Sequence, residues 1–418
     1  MCLGIRKAAK CLAKYGLCFA VTIMVFVASL TLVYMIPNRA IEWHQEYSLC
    51  TLEGIEETWE SFGNLFGLHS QPGMMDNTTD RIMMQEAFIS DESMSALEAA
   101  LYMNGYTRYW HGYEVILRPL LVVYQLHQIR YLNMFVFFGL FCMVLFALKK
   151  RMGTLSAMAF FMTMVCAHIV VIPMSMQYMA VFVVSMLAML LILWRYPFCS
   201  RENLPLFFMM IGMLINFLDF LTVPIVTLGM PLLLCLYLDR EKNEKPFGAV
   251  NMALSCSVSW TMGYALCWLA KWVLSAVILK RNIFGEVAGK MQGWAVVKDH
   301  AEGRIETVIH NFKSYFTLMG MRTMIFPLLF FALLVVGLLL FRKAKKSRWI
   351  TAGVMLMVCL YPYIWYFVLM EHSWLHCWFT YRAQTVTQFG MYLALIGLLD
   401  LKRAEVFIQN HRLAGRYR

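Results

Sequence analysis

Apolar residues in this chain fall into long blocks separated by short polar breaks. A bilayer core about 30 Å thick takes about 20 apolar residues in a helix. Ten stretches approach that length: 14–36, 130–148, 154–173, 176–194, 204–221, 223–238, 248–272, 323–341, 349–370 and 386–401. The pattern predicts an all-α polytopic membrane protein of about ten transmembrane helices, a single membrane domain over residues 1–418. The fifth and sixth blocks form a close-set pair broken by Pro224, and 114–129 reads as a short interfacial or re-entrant helix. The first block is too long for a signal peptide and no small-x-small cleavage site follows it, so it is expected to remain as a span.

The breaks carry the charge, and the charge sets the orientation. Arg6, Lys7, Lys10 and Lys14 precede the first span and belong in the cytoplasm. Ten spans then place Lys149 to Arg151, Arg195 to Arg201, Asp239 to Lys245, Arg342 to Arg348 and the C-terminus inside as well. Each of those segments is basic or mixed, so N-in/C-in is self-consistent. The outer side receives three sizeable segments: a long acidic first loop, 37–113, expected to contain short helices, then 281–322 and 371–385. From Pro37 to Gly112 there are twelve acids and three bases. Eight of the ten histidines, His44, His69, His111, His127, His300, His310, His372 and His376, also fall on or near that side. Avoidance of positive charge outside explains the acidity of the loop and leaves the clustering of His, Trp, Tyr and Arg unexplained.

Composition narrows the classes further. The 418 residues are 61% hydrophobic and 15% charged, with mean hydropathy +0.61, against roughly half and a quarter in soluble domains. A soluble enzyme, a disordered chain and a secreted disulfide scaffold are excluded. The net charge of +11 sits in short runs at span ends, where it meets anionic lipid. No basic stripe is interleaved with stacking aromatics, so nucleic acid is not an expected partner. Ten of twelve cysteines lie in spans or cytoplasmic segments. Cys50 and Cys377 are the two in outer loops, either bridged or both unpaired.

Five clusters carry candidate chemistry. In Asp76-Asn77-Thr78-Thr79-Asp80 two carboxylates lie four apart and share a face if a helix starts there. Asp76 is then either a helix N-cap or, with Asp80, a general base and a pair of oxygen ligands for an optional divalent cation. Thr107-Arg108-Tyr109-Trp110-His111-Gly112-Tyr113, followed by Arg118-Pro119, sets arginines and a histidine at headgroup depth. Trp110 and Tyr113 fit an interfacial aromatic belt. Arg108 and Arg118 can hold a phosphate, and Arg118, inside an apolar stretch, needs an acidic partner or an anionic ligand. Asn216 to Pro224 carries Asp219, which either turns the chain or pairs with Arg118 or Lys271. Lys271 itself is expected to snorkel. Glu371 to Arg382 holds His372 and His376 at i, i+4 with Trp374, Trp378, Tyr381 and Arg382. HExxH is absent, which favours hydrogen bonding to a phosphate or sugar over metal ligation. The loop 281–322 supplies Lys298, Asp299, His300, Arg304, His310, Asn311 and Lys313, with Ile305 to Phe316 as an amphipathic helix lying on the membrane. Neither a P-loop, a dinucleotide fingerprint nor a nucleophile elbow is present.

A cytoplasmic N-terminus, one span, a long outer loop with an acidic motif and then many spans resembles the GT-C integral-membrane glycosyltransferases. The strings Asp76-Asn77-Thr78-Thr79-Asp80, Arg108-Tyr109-Trp110-His111-Gly112-Tyr113 and Arg118-Pro119-Leu120-Leu121 look like those of polytopic membrane proteins of Firmicutes. The first loop is longer than the simplest family pattern and lacks its adjacent acid pair. The resemblance implies transfer of a sugar from a polyprenyl-phosphate donor to a glycan or lipid acceptor of the cell envelope, at the outer face of the plasma membrane. Asp76 or Asp80 would act as base. Arg108, His111, Arg118, Asp219, Arg304, His372, His376, Tyr381 and Arg382 would bind substrate, no cofactor being required. Three other readings of the sequence stand beside it: a flippase for a lipid-linked saccharide, a glycan polymerase and a non-catalytic scaffold subunit.

Overall fold

A computed structural model describes residues 2–52, 77–195, 201–240, 246–295, 303–318, 321–342, 345–404 and 406–407. The described chain is helical, with a single isolated bridge between Arg342 and Leu399 as its only β pairing. In order the α-helices are α1 (Cys2–Tyr34), α2 (Glu42–Leu52), α3 (Asn77–Glu86), α4 (Ala96–Tyr102), α5 (Glu114–Leu121), α6 (Leu126–Met152), α7 (Thr154–Cys166), α8 (Met176–Arg195), α9 (Leu204–Leu218) and α10 (Ile225–Asp239). There follow α11 (Pro246–Leu279), α12 (Ile283–Ala295), α13 (Arg304–Thr317), α14 (Met321–Leu340), α15 (Lys346–Val358), α16 (Tyr361–Val368), α17 (Met370–Leu375), α18 (Cys377–Thr380) and α19 (Thr385–Leu398).

Every apolar block is helical, because a backbone in lipid must satisfy its polar groups within its own helix. Among the described residues five stretches are long and apolar enough to cross a membrane: Leu12–Tyr34, Leu126–Met152, Met176–Trp194, Gly248–Leu279 and Lys346–Val368. Four shorter apolar helices accompany them. Side chains such as Leu17, Phe135, Phe146, Val258, Val277, Leu333 and Leu339 are wide open on this surface. An apolar belt of that extent suits lipid and would be an aggregation liability in water. The chain is a helical membrane protein.

Two blocks are interrupted where continuous spans were expected. In 154–173 the helix ends at Cys166, His168 takes φ 56° and a short 3-10 turn, Ile172–Met174, follows. In 349–370 it ends at Val358 and restarts at Tyr361. Pro362 explains the second, since it lacks the N–H that would continue the helix onto Val358 O, and the first is made by the left-handed turn at His168.

At the centre is α10, buried along nearly its whole length and enclosed by α8, α11, α15 and α19. The tightest approach is between α9 and α11. A Cβ on Gly212 would lie 2.2 Å from the Trp260 carbonyl oxygen, and one on Gly263 2.2 Å from that of Met209. The two glycines let the backbones touch, the packing that small residues permit between membrane helices.

Helices that stop inside the protein leave carbonyls unpaired, and buried cations supply the donors. Arg118 donates Nε to Val33 O at 3.0 Å, Nη2 to Ile36 O at 2.5 Å and Nη1 to Ala87 O, closing the ends of α1 and α3 together. Lys271 Nζ donates to Leu101 O at 2.8 Å in the last turn of α4. Arg382 Nε reaches Ala167 O at 3.0 Å, just past α7. Buried Arg348 does the same at Gly397, at the end of α19, and the less buried Arg151 and Arg304 donate to Leu193 and Phe367, at the ends of α8 and α16. Lys271 is therefore fully buried rather than snorkelling, and Arg118 meets its needs with carbonyls rather than an acid.

The helix expected over Ile305 to Phe316 is present as α13. Its apolar residues Ile305, Ile309, Phe312 and Phe316 face outward, while Thr307, Asn311 and Ser314 are buried. Asn311 holds it in place, donating to Ser373 O at 2.8 Å and accepting from Thr380 Oγ1 at 2.7 Å.

Gly212→Leu or Gly263→Leu is expected to cost about 1–3 kcal/mol by overpacking, read as a lower melting temperature of the detergent-purified protein. Gly139→Leu, at an exposed position with nothing within 4 Å, should melt like the wild type.

Candidate functional site

The break between α9 and α10 gathers residues from distant parts of the sequence. Asp219 ends α9 in an extended conformation and Pro224 starts α10. Between them Asp219 Oδ2 accepts from the Thr222 N–H at 2.8 Å, and Leu221 sits at φ 71°. A branched side chain in the left-handed region is strained, so the surroundings must hold it there. The His372 ring lies against the Leu221 backbone. Phe220 lies in a cage of rings, 5.0 Å from His111, 5.0 Å from Tyr113, 5.8 Å from Tyr109 and 6.1 Å from Tyr106. The Gly112 N–H donates to Phe217 O at 2.8 Å. Three of the sequence clusters meet at this turn.

His111 has both ring nitrogens occupied. Nε2 lies 2.9 Å from Tyr106 O and Nδ1 2.9 Å from the Tyr113 hydroxyl. A carbonyl only accepts, so Nε2 carries the proton and Nδ1 accepts from Tyr113. Burial, with the Lys271 charge adding to it, pushes His111 down to about 3 and keeps it neutral. The Arg108 guanidinium lies over Tyr106 at 4.1 Å and near Tyr109 at 5.5 Å. Its backbone carbonyl accepts from the Trp268 and Trp272 indoles at 2.6 and 3.0 Å. Trp110, expected in an interfacial belt, is instead fully buried. Its indole donates to Cys267 O at 2.9 Å, and its ring packs against Phe26 and Phe217.

Asp80 lies in the first turn of α3 and is fully buried; Asp76 lies outside the described residues. Asp80 Oδ2 pairs with Arg130 Nη2 at 2.8 Å, and Oδ1 accepts from the Met176 N–H at 3.0 Å, at the start of α8. Arg130 also donates to Asn77 Oδ1 at 2.8 Å. Arg130 was missed in the sequence, although a cation on the expected outer end of a span breaks the positive-inside pattern and could have marked it. Beside this pair runs a groove of about 320 Å³, lined among others by Met83, Tyr113, Ile129, Asn133, Met176 and Leu218. Its wall continues through Ile116, Leu132 and Val136, which are exposed apolar residues, so the groove opens onto the lipid-facing surface.

Two buried acids were also missed. Neither carboxyl oxygen of Glu114 has a hydrogen-bond partner, nor has Oε2 of Glu86. Burial pushes Glu86 up to about 7. Glu114 is likewise pushed up by burial, with Arg118 opposing and Glu86 reinforcing. Glu114 and Arg118 at i, i+4 were legible as a pair, but a lone glutamate in an acidic loop carries no signal of burial.

Across α17 and α18 the His372 and His376 rings are 4.9 Å apart, and His376 stacks on Phe379 at 5.1 Å. Burial, with His376 adding to it, lowers His372 to about 3. Tyr381 hydroxyl meets His168 Nδ1 at 2.6 Å. Arg382 is fully buried, its guanidinium 4.2 Å from the Tyr178 ring centre. Neither Arg118 nor Lys271 pairs with Asp219; both donate to carbonyls. Arg304 lies apart, at the end of α16. Lys298, Asp299 and His300 lie outside the described residues. Cys50 and Cys377 are free thiols. Among the described residues no three His, Cys, Asp or Glu side chains are grouped to hold a metal.

Compared with protein-family models, curated proteins and solved structures, the chain matches none.

His111 and Glu86 give the fold opposite pH dependences. Between His111's ordinary 6.5 and its folded value of about 3, the unfolded chain binds a proton the native one does not, so stability is lost as pH falls. Between Glu86's ordinary 4.5 and about 7 the native state holds the extra proton, so stability is lost as pH rises. Glu86→Gln is expected to raise the melting temperature at about pH 8 and to leave it near wild type at about pH 5. An unchanged difference at both pH values would remove this assignment.

Proposed function

We propose that this chain is an integral-membrane glycosyltransferase of the GT-C type, moving a sugar from a polyprenyl-phosphate donor to an acceptor hydroxyl of the cell envelope. The single observation that carries the reading is the buried Asp80–Arg130 pair at the edge of a groove open to lipid. An acid of the first outer loop, a phosphate-binding cation and an apolar channel for a polyprenyl tail are then adjacent. Arg130 transfers its contact from Asp80 to the donor phosphate, freeing Asp80 to take the proton of the acceptor hydroxyl. The acceptor oxygen forms a bond to the anomeric carbon as the bond from that carbon to phosphate oxygen breaks, and the departing phosphate keeps the electron pair. Arg108, half-buried over the Tyr106 ring beside the cage around Phe220, is a second cation on the same side of the fold as that phosphate. Arg118, Arg304 and Arg382 serve the reaction by holding helix ends in place, since each donates to backbone carbonyls. A divalent cation, if the reaction uses one, would bind through Asp76 and Asp80.

The same reading takes ten spans with both termini inside and the acidic first loop outside, in the plasma membrane. Cys50, exposed on α2, is the natural reporter. A membrane-impermeant maleimide added to intact cells is expected to label the wild type, and Cys50→Ser is expected to lose most of the signal. Labelling of Cys50 only after permeabilisation would reverse the orientation.

In cells without the wild-type copy, incorporation of labelled sugar into the envelope is the measurement for transfer. Asp80→Asn or Asp76→Asn is expected to lower it by at least about 100-fold, the scale of a lost general base, at normal membrane abundance. Wild-type incorporation in both variants would sink the reading. Arg130→Lys, which keeps charge and loses the forked geometry, should weaken donor binding more than turnover.

A further inference from the structure

The turn between α9 and α10 holds more unpaired oxygen than its own fold explains. Asn216 Oδ1, Asp219 Oδ1, Thr222 Oγ1 and the Tyr264 hydroxyl are each buried without a hydrogen-bond partner. Asn216, Asp219 and Thr222 are 2%, 4% and 0% exposed. Three of the four follow one another along the end of α9 and the turn, while Tyr264 comes across from α11. The Tyr264 hydroxyl lies within weak reach of Asn216 and near Asp219, and the Thr222 hydroxyl within weak reach of the Asp219 carboxyl, but none of these contacts has hydrogen-bond geometry. Burying a polar oxygen without a partner is costly, and burying a carboxylate with only the Thr222 N–H on one oxygen is costlier still.

Among the described residues no lysine or arginine forms an ion pair with Asp219. The two ion pairs among the described residues are Arg130–Asp80 and Arg201–Asp239. Lys271 and Arg118, the buried bases proposed above as partners, donate to backbone carbonyls elsewhere. The last turn of α9 adds the negative end of its helix dipole. An interrupted membrane helix with side-chain oxygens at its unwound end is a general arrangement for holding a small cation.

We propose that this turn binds a monovalent alkali cation through Asn216 Oδ1, Asp219 Oδ1 and Thr222 Oγ1, with the Tyr264 hydroxyl closing the site. One carboxylate among neutral oxygens matches a single positive charge. A divalent ion would draw on more carboxylates than the turn supplies. Binding there fixes Leu221 in its strained conformation and seats Phe220 in the cage of Tyr106, Tyr109, His111 and Tyr113. The cation therefore orders the wall between the first outer loop and the last. The site is independent of the transfer reading, because it is read out by binding and not by activity.

The test uses the full-length protein purified in detergent without alkali ions, with N-methylglucamine as the buffer cation. Melting temperature is followed while NaCl, KCl or choline chloride is added at equal ionic strength. A saturable rise with sodium or potassium, absent with choline, is expected, since a ligand that binds only the native state stabilises it. The two alkali arms then say which ion is held. Asp219→Asn should abolish the rise. Thr222→Val, which keeps the carboxylate and removes one neutral ligand, should raise the half-saturating concentration about tenfold; it carries the test if Asp219→Asn does not fold. Equal melting in all three salts overturns the proposal, as does an unaltered alkali response in folded Asp219→Asn or in Thr222→Val.

Discussion

A helix that ends where water cannot reach it leaves its last carbonyls with nothing to accept from. This protein contains many such ends, because several of its helices stop or restart within the protein. The solution recurs: a lysine or arginine from a different element reaches across and donates. Arg118 ties the ends of α1 and α3, Lys271 ends α4, Arg382 closes α7 and Arg348 closes α19, and nearer the surface Arg151 and Arg304 do the same for α8 and α16. The helix dipole favours positive charge at those ends, so each contact gains in charge as well as in hydrogen bonding. Each also joins segments distant in the sequence, so the interrupted helices become one scaffold.

That scaffold sorts the charged residues by role. An arginine whose N–H groups already meet carbonyls is a structural tie, whatever its position suggests. The acids follow the reverse rule. Asp80 sits at the start of α8, accepting from the Met176 N–H while paired with Arg130. Among the described residues, those placed to meet a ligand include the Asp80–Arg130 pair beside its groove, the unpartnered carboxyl oxygens of Glu86 and Glu114, and the oxygens of the turn at Asp219. All lie on α3, on α5 and α6 or at the break between α9 and α10, toward the cage that holds Phe220.

How much of this was legible can be followed residue by residue. Asp80 was visible as an acid near a helix start, and α3 indeed begins at Asn77. Its partner was not, because Arg130 is fifty residues away in a separate apolar block. His372 and His376 were visible as a helical pair, and their rings lie together. That His372 would reach the backbone of Leu221 was not visible, since nothing local to either segment encodes the contact. Arg118 was recognised as a buried charge in need of a partner. The partner was a set of carbonyls, and a sequence does not say which carbonyls a tertiary fold leaves bare.

The sequence by itself determined that this is a helical membrane protein, where its apolar blocks begin and end, and that the acids gather in the first long loop. Those are properties of local composition, and a bilayer reads them segment by segment. Only the tertiary structure decided which charges are spent on the protein and which stay available. Hydrogen bonds in a low-dielectric interior are allotted by distance and direction among all donors and acceptors at once. That allotment exists only after the helices have packed.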